Sequence, residues 1–186
     1  MSVSDIPVSV KLFYTVLISH YKIKKMKITF LLIAIALSIA TTAQITKVSF
    51  QASGLTCSMC SNAIFKALKT LDFVDKVDAD VKTYTFDMTF KANSNIDFDL
   101  IKKKVENAGF AISGFIATIQ FNSVQLKKDQ PVAVADKNFL FVNGHEQLLN
   151  GIKDVKLIDK GFVASNESRK NNFPVLSPGT YHVSIN

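Results

Sequence analysis

Between residues 45 and 115 the apolar pattern switches four times between a period of two and a period near 3.6, and few folds accept that order. Val48, Phe50 and Ala52 alternate with Lys47, Ser49 and Gln51, which predicts a half-buried strand over 45–52. Cys60, Ile64, Ala67, Leu68 and Leu71 then recur at helical spacing with Lys66 and Lys69 outside, predicting an amphipathic helix. Val77, Ala79 and Val81 alternate with Lys76, Asp78 and Asp80, and Tyr84, Phe86, Met88 and Phe90 alternate with Thr85, Asp87 and Thr89. These two strands lie close enough to pair as a hairpin around Lys82-Thr83. Asn95 or Asp97 can cap a second helix with Phe98, Ile101, Val105 and Ala108 as its apolar stripe, and Gly109 stops it. A fourth strand starts near Phe110, so the order is β-α-β-β-α-β. That order predicts a ferredoxin-like α+β sandwich over residues 45–117.

Beyond residue 118 the texture changes. Pro131, Gly144, Gly151, Gly161, Pro174, Pro178 and Gly179 punctuate short apolar runs, with strands expected at 119–126, 138–142, 152–158 and 180–185. The expectation is a separate, small, all-β module over 118–186, of the OB-like, partly open barrel kind. The stretch 168–172 reads as a solvated loop.

Charge is distributed unevenly. The formal net charge is +7, and residues 1–43 hold five lysines (Lys11, Lys22, Lys24, Lys25 and Lys27) against the single acid Asp5. The later chain lacks a dense basic stripe, so no nucleic-acid partner is expected. Lys22 to Lys27 form a basic n-region, Ile28 to Ala40 is an apolar run of 13 residues, and Thr41-Thr42-Ala43 is a cleavage motif before Gln44. This is the plan of a secretory signal peptide. The run is short of the ~20 residues a spanning helix needs, so membrane attachment is expected only through an uncleaved leader. Met26 is the better start for such a signal. The mature protein is expected in the periplasm or outside the cell.

The chain has two cysteines, Cys57 and Cys60, spaced C-x-x-C at the strand-to-helix junction Gly54-Leu55-Thr56-Cys57-Ser58-Met59-Cys60. Backbone N–H groups at a helix start are unpaired and carry partial positive charge, which favours thiolate over thiol. Two thiolates on one short loop can pinch a single soft ion, Cu(I) above all and Zn(II) or another soft metal less selectively. Gly54 allows a sharp turn and Leu55 can anchor the loop in the core. Met59 is a weaker third soft donor, and more often a Met in such a place is simply exposed. His145 and His182 read as ordinary surface histidines, and Lys102 to Lys104 as a wet helix face.

With its flanks, this motif resembles the heavy-metal-associated domain, the fold of copper chaperones and of the N-terminal domains of copper-transporting ATPases. The family carries G-M-T-C-x-x-C after its first strand, matched here from Gly54 to Cys60, followed by Ile64 and Ala67-Leu68. A later family signature is matched by Ala108-Gly109-Phe110. The departure is Leu55 in place of Met, a change that preserves an apolar anchor. The resemblance covers residues 45–115. It implies that Cys57 and Cys60 bind the metal, that Gly54, Leu55 and Thr56 support the loop, and that Phe110 shields it. The leading expectation is a carrier or buffer of Cu(I) that hands its ion to a partner protein, and with no Ser/His/Asp trio, glycine-rich phosphate loop or paired carboxylates in the sequence no enzyme is expected. Two other readings stay open on the residues alone. One is a thiol–disulfide oxidoreductase of exported proteins. The other is an adaptor in which the C-terminal β segment binds a partner.

Overall fold

A computed structural model describes residues 43–56, 58–142, 145–171 and 173–185, all within one compact unit, Thr42–Asn186. The leader up to Thr42, with its basic n-region and apolar run, lies outside the described residues, and so does Cys57.

Strand β1 (Gln44–Ser53) is followed by helix α1 (Ser58–Leu68), the hairpin β2 (Val74–Asp80) and β3 (Thr85–Phe90), helix α2 (Phe98–Asn107) and β4 (Ala111–Leu126). The order β2-β3-β1-β4 in the sheet is that of a ferredoxin-like sandwich. Irregularities adjust the alternation read from sequence. A bulge between Ile45 and Lys47 puts Ile45 on the same buried face as Val48 and Phe50. Another between Val74 and Lys76 does the same for Val74 and Val77, while Ala79 and Val81 at the far end of the edge strand are exposed.

α2 is well defined by local chemistry. The Asp97 carboxylate accepts the Leu100 N–H at 2.9 Å, Asp99 sits in the first turn and Lys104 in the last. Gly109, at φ +90°, ends the helix in the left-handed region. Its buried stripe is Phe98, Ile101 and Val105.

The C-terminal segment does not stand apart. The expected boundary at 117/118 falls inside the 16-residue strand β4, where Ala117 pairs with Val48 on one side and Val155 on the other. The sheet continues through β7 (Gln147–Leu157), β8 (Thr180–Ile185), β6 (Lys137–Phe141) and β5 (Val132–Val134), giving the row β2-β3-β1-β4-β7-β8-β6-β5. Among the described residues the row is open, with β2 and β5 at its ends, rather than the small barrel expected. The physical reason lies in β4. Phe115, Ala117, Ile119 and Phe121 are all fully buried on one face, so the alternation runs unbroken through the supposed boundary. Residues expected as a solvated loop form instead the short helix α3 (Ser165–Asn171), whose start is tied to β4 by Ala164 N–H donating to Ser113 C=O at 3.1 Å.

One aromatic train joins the two halves. Phe86 stacks on Phe50 at 5.1 Å, Phe50 faces Phe115 at 6.3 Å, and Phe115 meets Phe98 and Phe162 edge-on at 5.1 Å each. Phe98 then touches Tyr181 of β8 at 5.4 Å and Phe139 of β6 at 6.3 Å. Each such fully buried ring contributes about 1.5–3 kcal/mol. Helix α2 is thus wedged between its own sandwich and the added strands. Tyr181 O–H donates to the Asp99 carboxylate at 2.9 Å, and the Lys102 ammonium, paired with Asp99, lies 4.7 Å from the Phe162 ring centre.

Candidate metal centre

The loop between β1 and α1 is held from both sides. On the strand side, Ser53 pairs with Ala111, the Ser53 hydroxyl donates to Ala111 C=O at 3.3 Å, and the Ser113 hydroxyl donates to Gln51 C=O at 3.1 Å. Gly54 adopts φ +87°, a conformation that L side chains rarely take, so the chain leaves the sheet abruptly there. A Cβ on Gly54 would stand 3.9 Å from the Phe110 ring, which places that ring against the turn. Phe110 is set there by the helix end before it, its N–H donating to Val105 C=O at 3.2 Å.

Leu55 is 8% exposed and belongs to the core, whereas Thr56 is on the surface. α1 begins at Ser58, directly after the position of Cys57. Cys60 is half-buried in the first turn and packs against the core cluster. Its sulfur therefore lies near the amide-rich start of a helix, where negative charge is stabilised. Met59 is 81% exposed and points its thioether to solvent.

Sequence reasoning missed two features. Ser61 is 2% exposed and, among the described residues, its hydroxyl has no hydrogen-bond partner, an unusual state for a buried polar atom. It lies on the face of α1 that also carries Ile64, and a serine amid apolar positions was the available signal. The second is His182, expected on the surface but only 3% exposed. Its Nδ1 and its backbone N–H both lie 2.7 Å from the Asp159 carboxylate, and Phe173 stacks on the ring at 4.6 Å. Asp159 is 23 residues away in the chain, so no local pattern marks this pair. His145 is exposed, as expected. Lys102 is not simply solvated, since it bridges Asp99 and Phe162.

The segment is thus a small α+β domain, a helix-covered ferredoxin-like sheet whose first strand turns at Gly54 into a helix bearing Cys60. The family comparison agrees: residues 49–111 match the heavy-metal-associated domain, and that segment is a domain of this kind. Comparison with curated proteins gives no match. Among solved structures, the yeast copper transporter domain Ccc2a is 32% identical, aligning over 35% of this chain and 88% of its own with a TM-score of 0.32. Apo-CopP from Helicobacter pylori is 29% identical over 36% of this chain and 97% of its own, with a TM-score of 0.31. The Atx1–Cu(I)–Ccc2a complex aligns at 31% identity over 37% and 92%, with a TM-score of 0.33.

Proposed function

We propose that this protein is an exported carrier or buffer of Cu(I), not an enzyme, that holds its ion between the thiolates of Cys57 and Cys60 and passes it to a partner protein by ligand exchange. The observation that carries the reading is the heavy-metal-associated segment 49–111, whose strand-to-helix loop contains the C-x-x-C motif. Cu(I) suits two soft sulfurs, whereas Zn(II) takes four ligands and would be left incomplete. Two-coordinate Cu(I) is open to attack by a third thiolate or thioether. A partner's sulfur bonds first, one cysteine then leaves, and the ion crosses without entering water. Phe110 beside the turn limits water on one side, and the exposed Met59 leaves the other side accessible. The leader, with its basic n-region and small-residue cleavage motif, supports export and cleavage before Gln44.

The test is anaerobic isolation of the reduced protein, with bound metal measured by mass spectrometry. One Cu(I) per chain is expected, lost in the Cys57→Ser/Cys60→Ser double variant. No copper at one equivalent, or equal retention by the double variant, refutes the assignment. A mature N-terminus elsewhere than Gln44 refutes the proposed processing.

A further inference from the structure

The end of the sheet that carries the metal loop also carries a groove of about 390 Å³, and most of its lining comes from residues beyond the heavy-metal-associated segment. Its floor is Ile112 and Val163, both buried, with Ala111 at its edge. Its rim is Lys160 and Arg169, both exposed, and Glu106 is the sole carboxylate among its lining residues. Among the described residues neither Lys160 nor Arg169 takes part in an ion pair. The adjacent Lys170 adds a third exposed cation.

Two facts make this more than a scatter of surface charge. The first is position. Ala111 is the register partner of Ser53, the residue before Gly54, so the groove opens one strand spacing, about 5 Å, from the start of the loop. The second is rigidity. Helix α3 is pinned to β4 through Ala164 and Ser113, and to β7 by the Lys156–Glu167 ion pair at 2.6 Å. Arg169 is therefore presented by a fixed element, and its planar fork suits a carboxylate.

We infer that this groove docks an acidic segment of the protein that receives the metal, with carboxylates on Lys160 and Arg169 and a small apolar side chain over Ile112 and Val163. The inference rests on the carrier reading for the identity of the partner. The chemistry favours a peptide over the other anions. A phosphate ion has no apolar group to set over Ile112 and Val163, and membrane surfaces are bound by clusters of some 4–8 basic residues rather than by three beside a concave slot. Such docking would hold an incoming sulfur beside the loop long enough for exchange and speed encounter with acidic partners.

The experiment follows backbone amide shifts of the protein by NMR during titration with a synthetic peptide of alternating Asp and Leu. Parallel titrations use its Asn–Leu counterpart, inorganic phosphate, and vesicles containing phosphatidylglycerol. The expected result is saturable shifts at Ile112, Gly161, Val163 and Arg169 with the Asp peptide. Affinity should fall about tenfold or more in the Lys160→Glu/Arg169→Glu variant, as expected for loss of charge-assisted hydrogen bonds. The milder Lys160→Gln/Arg169→Gln variant, which leaves the fold's contacts intact, should fall in the same direction. No binding, shifts dispersed over other lysines, equal binding of the Asn peptide, equal response to phosphate or vesicles, or indifference of both variants each overturns the inference. Cu(I) stoichiometry measured on the same variants should stay at the wild-type value. Absence of copper in the wild type refutes the carrier reading, while the peptide titration judges the groove separately.

Discussion

Replacing Phe139 by alanine tests whether the added strands and the metal-binding segment share one cooperative core. Phe139 lies in β6, far along the chain from the metal loop, and is 0% exposed. Its ring faces Phe98 at 6.3 Å and Tyr181 at 6.2 Å, so the substitution opens a cavity directly behind α2. Phe→Ala in a core costs about 3–5 kcal/mol, and two aromatic neighbours place the expectation near the middle, about 4 kcal/mol. At about 2–4 °C per kcal/mol for a chain of this size, the melting temperature should drop by about 8–16 °C. The decisive assay is native-state hydrogen exchange at Val48 and Met88, in β1 and β3 of the metal-binding segment. If the row of strands unfolds as one, exchange at those amides should accelerate by roughly 10³, the factor that corresponds to about 4 kcal/mol. If amides of Tyr181 and Val183 accelerate while Val48 and Met88 keep their protection, the two segments unfold independently and the reasoning fails.

Tyr181 bears on alkaline stability. Burial first, and the Asp99 carboxylate second, push its phenol well above the ordinary value of 10.0. Above pH 10 the folded state therefore binds more protons than the unfolded state, so its contribution is intact below pH 10 and declines as alkalinity rises. Tyr181→Phe should lower stability by about 1 kcal/mol near neutrality and flatten the decline above pH 10, read from denaturant midpoints across pH. An unchanged alkaline slope would contradict this. Ser61→Ala should raise stability by about 1 kcal/mol, since it removes an unpaired buried hydroxyl and improves helix propensity. A fall in the urea midpoint would mean that the hydroxyl has work elsewhere.

The sandwich was legible because its buried positions repeat locally. Phe98, Ile101 and Val105 declare a helix face, Phe86 and Met88 a strand face, and Asp97 and Gly109 mark where α2 begins and ends. The turn into α1 was legible because a glycine and an apolar anchor fall at a change of period, and Gly54 and Leu55 take those two places. What escaped was non-local. The pairing of β4 with β7 joins residues such as Phe115 and Leu157 across more than 40 positions, with nothing in either strand to name its neighbour. Gly and Pro after residue 118 marked turns, and turns within one sheet look the same as breaks between two domains. The Asp159–His182 contact and the Lys160–Arg169 rim likewise depend on chain return, which periodicity does not encode. Helix α3 is seven residues of polar sequence without an apolar stripe, so its existence follows from its ties to β4 and β7 rather than from its own pattern.

Strand β4 has a practical corollary for anyone wishing to trim this protein to its metal-binding part. Ending the chain at residue 117 would cut the strand midway, discard Ile119 and Phe121, and strip β7 from its outer flank. The fragment would then offer a row of idle amides and carbonyls, the template on which polypeptides stack into aggregates. Insolubility of such a truncation would thus report a missing neighbour, and would say nothing against the competence of the sulfur loop itself.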